Sequence, residues 1–308
     1  MDVVSLVRAG QFILTDSAVE TRVAHEFGLK VDPQIGAARL VQDPAEEAVL
    51  RRIYGGCLEV ARTAGLPAII GTPTFRAGPD RLENETAMRW LNGAAVALHQ
   101  DIRRRSHAFI AGVIGPRHDA YQPERAPNSA EARRYHAAQC EALARAGADL
   151  LFAATFPAFQ EARGAAWAMA GTTLPYVVSF VLRGDGRLLD GTALYDAVAR
   201  IDEEVSPRPA WFSASCVHPA IIAEALASSN ASGVAGQRLL EARVNASRLA
   251  PEALAKLDHL DSEDPETLAD ATFSLYTRFG LRVLGGCCGT DDRHLRALAR
   301  RMAATVPK

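Results

Sequence analysis

The chain has 308 residues, of which 48% are hydrophobic and 23% charged, and its formal net charge is −2. That balance excludes a polyanion binder, because no basic excess is present to attract nucleic acid or an anionic membrane. The opening MDVVSLVRAGQFILTDS lacks a basic start leading into a sustained apolar stretch. No run approaches the ~20 apolar residues of a membrane span, so a cytoplasmic protein without membrane partners is expected.

Along the chain, short apolar, β-branched runs alternate with longer segments of helical periodicity. Phe12–Ser17 is followed by the helical stretch Pro44–Thr63, and Ala68–Thr74 by Glu83–Arg105. Ala108–Gly115 leads through the loop Pro116–Asn128 into helical Ala130–Ala146. Leu150–Phe156, Tyr176–Val181 and Ala210–Cys216 come next, with turn chemistry at Arg183-Gly184-Asp185-Gly186. Beyond a second loop, Ser228–Gly236, lie Leu239–Asn245, helical Pro265–Phe279 and Arg282–Gly286. Eight such βα units predict an α/β fold, a closed (β/α)8 TIM barrel. No low-complexity linker or repeat divides residues 1–308, so a single domain is expected, with both long loops on its surface.

Five cysteines are an odd number, and in a reducing compartment they read as ligands rather than a disulfide framework. Cys216 ends predicted strand six, while Cys287 and Cys288 end predicted strand eight, in the run GGCCGT. Barrels of this class build their sites at the C-terminal ends of strands, so the three can converge. Gly285 and Gly286 are expected to let the backbone turn, so that neighbouring cysteines both face inward. Three thiolates without an obvious fourth protein ligand describe zinc with an open position, the form of catalytic zinc. A vicinal disulfide, or buried cysteines acting as small apolar residues, are the alternatives. Cys57 and Cys140 lie within helical segments and read as core. His218 reads as a loop or supporting residue, Arg76 as a solvated loop arginine, and Asp291 with Asp292 as the start of the last helix.

The GGCCGT run, the segment SCVHP and the opening ILTDSAVETRV together resemble the zinc-dependent homocysteine S-methyltransferase family over nearly the whole chain. The resemblance implies a (β/α)8 barrel with Zn2+ on a catalytic set of Cys216, Cys287 and Cys288. It also implies methyl transfer from a small donor, such as S-methylmethionine or betaine, to the zinc-bound thiolate of homocysteine, giving methionine. The partners are then a small thiol acceptor and a small methyl donor, and Ala/Leu-rich helices such as Ala130–Ala146 leave a homo-oligomer open.

This chain departs from the family pattern at three places. Asp16-Ser17-Ala18 keeps the acid of an Asp-Gly-Gly opening but neither glycine; the family glutamate at the end of strand four is Ala154; and the asparagine before the first zinc cysteine is Ser215. Asp16 and Ser17 are therefore candidate substrate-binding residues, with Glu20 assisting if its loop folds inward. Thr72, with Thr74 near it, Thr155, and Asn245 with Ser247 are candidates at other strand ends. Ala154 keeps open a second reading, the same chemistry on another thiol. A third is a non-catalytic barrel that binds zinc or a thiol.

Overall fold

All eight apolar runs become parallel strands of one closed barrel in the computed structural model, which describes residues 1–228, 237–249, 257 and 259–305. They are β1 (Ile13–Thr15), β2 (Ala68–Gly71), β3 (Ala108–Ile114), β4 (Leu150–Phe156), β5 (Tyr176–Phe180), β6 (Trp211–Val217), β7 (Leu239–Val244) and β8 (Val283–Gly286). Each pairs with its sequence neighbour, and β1 closes on β8 with Ile13 beside Val283, which leaves no sheet edge open. β1 and β2 fall furthest short of the apolar pattern, β1 ending at Thr15 rather than Ser17 and β2 at Gly71 rather than Thr74. There the chain leaves the ladder to line a cavity with Asp16, Ser17 and Thr72.

The period-2 alternation of the strands sorts their side chains into two cores. Leu14, Ile70, Leu151, Val178, Phe212, Ala242 and Leu284 pack outward under the helices. Ile13, Ile69, Phe152, Val177, Trp211 and Val283 fill the barrel interior. The first helix, Val3–Arg8, adds Val3, Leu6 and Val7 to that inner cluster and seals the bottom of the barrel. The outer helices start where local chemistry dictates. Asp43 caps Pro44–Ala64, Asn128 caps Ser129–Arg145 and Asp264 caps Pro265–Phe279, each accepting hydrogen bonds from first-turn N–H groups.

Only the bottom is plugged, so function is left to the opposite end. The loop Pro116–Asn128 lies at the surface as expected, with Asp119, Gln122, Glu124 and Arg125 exposed, and its residues His118, Asp119, Ala120 and Tyr121 also line the cavity. In Ser228–Gly236, all but Ser228 lie outside the described residues. Among the described residues, no helix is long and apolar enough to cross a membrane.

Closure of β8 on β1 depends on a missing side chain. A Cβ on Gly285 would stand 2.7 Å from the Thr15 carbonyl oxygen, a backbone atom that cannot swing aside. Gly285→Ala should therefore cost about 1–3 kcal/mol, measured as a lower Tm in thermal unfolding. Gly93→Ala, in the helix Glu85–Ile102 with nothing within 4 Å of the new Cβ, should hold or raise Tm.

Candidate metal and thiol site

Two β-bulges aim side chains into the cavity. β6 shifts register against β7 between Ser215 and Val217, and Cys216 within that bulge has φ 56°. β4 does the same between Ala153 and Phe156, where Thr155 has φ 62°. Left-handed backbone is costly for residues with a Cβ, of order 1–3 kcal/mol each, and such strain concentrates at functional sites. Both residues line the cavity, so the irregular backbone is what turns them inward.

The cysteine pair is placed differently from the sequence expectation. Gly285 and Gly286 do not make the turn, since neither has a positive φ. They allow close packing instead; a Cβ on Gly286 would lie 2.7 Å from Thr290 Cβ. The turn comes one step later, at Gly289 with φ 79°. It is tied by the Thr290 N–H and hydroxyl, which donate to the Cys287 carbonyl at 3.2 and 2.7 Å.

The result brings the sulfurs of Cys216, Cys287 and Cys288 within 4.8 Å of one another. The Asn245 amide donates to the Cys216 sulfur at 3.7 Å, and the Tyr121 hydroxyl donates to it from the loop above. Hydrogen bonds from Cys287 and Cys288 hold the Cys216 thiol well below its ordinary range, and the same hydrogen bonds, with burial and the charge on Cys216, push both neighbours well above theirs. Three adjacent thiols thus resist ionising together unless a cation compensates them. Tetrahedral zinc thiolates, with Zn–S of about 2.3 Å, need sulfurs about 3.8 Å apart, which this cluster accommodates. The donor set fits a borderline-soft metal ion.

Beneath the cysteines lies a buried charge network that the sequence reading missed. Arg243 on β7 donates from Nε to Glu241 at 2.7 Å and from Nη1 to Asp16 at 2.9 Å. Asp16 also accepts from the Gly71 N–H at 2.6 Å, and Glu241 from Trp211 Nε1 at 2.7 Å. The guanidinium carbon sits 4.0 Å from the centre of the Phe152 ring. A signal existed in the sequence: Glu241 and Arg243 alternate within an otherwise apolar strand, so both had to share one face of it.

The other expected contacts divide. Asp16, Ser17, Glu20, Thr72 and Thr155 all line the cavity, which measures about 350 Å3, together with the three cysteines. The Ser17 hydroxyl is engaged by Arg22 at 3.2 Å and lies 3.4 Å from the Cys57 sulfur. Glu20 accepts from the Ala37 N–H at 3.1 Å, so its loop does fold inward. Thr72 is spent on structure, accepting from the Val113 N–H at 3.0 Å and bonding Thr74 at 2.7 Å. Asn245 is outside the cavity lining; its carbonyl caps the Ser247 N–H at 2.9 Å while its amide serves Cys216. His218 turns away to Glu263 at 3.2 Å, and Asp291 caps the last helix through Arg293 at 2.8 Å.

The family model described as Homocysteine S-methyltransferase matches residues 13–302. The Homocysteine S-methyltransferase of Escherichia coli (strain K12) is 27% identical over 319 aligned residues, covering 96% of this chain and 97% of that protein. Among solved structures, the metallated form of the homocysteine methyltransferase MmuM from Escherichia coli aligns with a TM-score of 0.76 at 23% identity, covering 96% of this chain and 98% of that one. Its oxidized form aligns with a TM-score of 0.77 at 22% identity, covering 96% and 97%. At such identities the structural likeness speaks to the fold.

Burial separates the cysteines chemically. Cys57 and Cys140 are enclosed and their thiols are pushed up to about 12, whereas Cys287 and Cys288 are half-buried at the cavity. Alkylation of the folded, metal-free protein near pH 8, followed by peptide mapping, should label the cluster of Cys216, Cys287 and Cys288 first and leave Cys57 and Cys140 unmodified until denaturation.

Proposed function

The chain belongs to the homocysteine S-methyltransferase family, and on that premise we propose that this methyltransferase holds zinc on Cys216, Cys287 and Cys288 and methylates homocysteine to methionine. The observation that carries the reading is the convergence of three sulfurs within 4.8 Å at one wall of the cavity. When bound, zinc supplies a Lewis acid that keeps an acceptor thiol deprotonated at neutral pH.

The chain's own residues supply the rest. Asp16 and Arg243 form a charged floor beneath the cysteines, suited to an amino-acid head group. Asn245 and Tyr121 orient Cys216 by hydrogen bonds to its sulfur. Phe75 and Tyr121 line the cavity, aromatic side chains of the kind that attract a cationic methyl donor. In the transfer, a bond forms from the acceptor sulfur to the methyl carbon as the donor's heteroatom–methyl bond breaks. The electron pair of that bond stays on the donor, which leaves neutral if it was a sulfonium or ammonium. In-line placement of the two reactants then supplies most of what catalysis requires. A cavity of about 350 Å3 favours a free, small donor of the S-methylmethionine or betaine kind. Five free cysteines suit a reducing, cytoplasmic compartment, and the continuous barrel suits a single domain over 1–308.

A second reading has one observation in its favour. Ala154 lines the cavity where the family resemblance would set a glutamate, so strand four offers the acceptor's ammonium no charge. The same methyl transfer to a different thiol follows if nothing else reads that ammonium.

Cys287→Ser should lower bound zinc and abolish methyl transfer together, read by metal analysis beside an assay over a donor panel. Full activity of a zinc-free variant would sink the mechanism. Tyr121→Phe should retain the metal and lose activity by less than Cys287→Ser does, because it removes one hydrogen bond and no ligand.

A further inference from the structure

Of the groups lining the cavity, Arg243 carries an unanswered demand. Its Nε and Nη1 are committed to Glu241 and Asp16, while Nη2 is buried without a hydrogen-bond partner. The side chain is 8% exposed, so bulk water does not satisfy that arm. A desolvated guanidinium N–H left unpaired is costly, and a guanidinium fork is shaped for a carboxylate. Arg243 pairs in register with Ser215 and with Gly285, and Cys216 and Cys287 stand one and two residues further along those strands. At about 3.3 Å per residue, one short carbon chain spans the step from head group to sulfur.

The carboxylates nearby are occupied. Asp16 has one oxygen on Arg243 and the other on the Gly71 N–H, and Glu241 is held by Arg243 and Trp211. At strand four, Ala154 offers no charge.

Resting on the thiol-methylation reading above, we infer that Arg243 is the specificity-determining residue for the acceptor, taking its carboxylate through Nη2, so that the substrate class is short thiol carboxylic acids read by their acid group. Head-group recognition thereby sits on β7 rather than on the fourth strand. Burial already pushes the Asp16 carboxyl above its ordinary range, so a proton on Asp16, or an ammonium beside it, balances the arriving negative charge.

The test is a binding panel by titration calorimetry on the zinc-loaded protein: homocysteine, mercaptobutyrate (no amine) and mercaptopropylamine (no acid). The corresponding thioethers, methionine, methylthiobutyrate and methylthiopropylamine, are titrated in parallel on metal-free protein, where they read the head-group pocket without the metal. Loss of the acid group should weaken binding by roughly tenfold or more in both series. Arg243→Lys keeps the charge but loses the fork. It should weaken both acid-bearing ligands by roughly tenfold and leave the acid-free amine within about twofold. A purely structural arginine would shift all three equally, which would overturn the assignment. So would an acid-free amine that binds wild type as well as homocysteine does. If no thiol binds the zinc-loaded protein while the thioethers still discriminate by their acid group, thiol methylation fails and the arginine's reading of carboxylates stands. Should Arg243→Lys fail to fold, Arg243→Gln takes its place in the same panel, and the wild-type series still overturns the assignment if loss of the acid group costs no affinity.

Discussion

The bare-backbone contact between β8 and β1 is the constraint on which the rest of this molecule depends. Gly285 lets the strand approach Thr15 as no larger residue could, and the Gly286 N–H then donates to the Asp16 carbonyl at 3.0 Å. That closure sets the cysteine pair immediately beside the acid of the first strand loop. It also completes the barrel, so that Cys216 reaches the pair across β7 alone. A barrel that failed to close would separate the three cysteines, the buried charge network and the cavity in one stroke.

Around that closure the site is assembled from features that cost stability. Left-handed backbone at Thr155 and Cys216, three thiols crowded together, and a buried arginine with one arm unpaired each oppose folding. Two continuous apolar cores, one under the helices and one inside the barrel, offset those costs. The inner core is apolar at the bottom, where Val3, Leu6 and Val7 plug it, and polar at the top, where Ser215, Glu241 and Arg243 replace hydrocarbon. Stability and chemistry are thus divided along the barrel axis rather than mixed.

The electrostatics of the two halves of the site are complementary. The cysteine cluster can carry its full negative charge only beside a compensating cation. The floor holds a cation and two acids already locked to one another and to the backbone. An acceptor carrying a sulfur at one end and a charged head at the other is complementary in charge to both. Tyr121, contributed by the loop over the strand ends, interacts with Cys216 and lines the same cavity.

Much of this was legible in the sequence, because the signals are local. Apolar runs of strand length, and cysteines beside glycines at strand ends, follow from short-range sterics and hydrogen bonding, which one chain segment carries by itself. The family signature GGCCGT is likewise contiguous. Contacts between segments were not legible. That Gly285 serves closure rather than a turn, that Thr72 is spent on Val113, that Asn245 supports a cysteine and that Tyr121 closes over the site depend on neighbours far off in sequence. Arg243 is the sharpest case. The alternation in Leu239–Val244 determined that Glu241 and Arg243 share a face, but only barrel closure decided that this face is the interior, where two acids hold the guanidinium and leave one arm free.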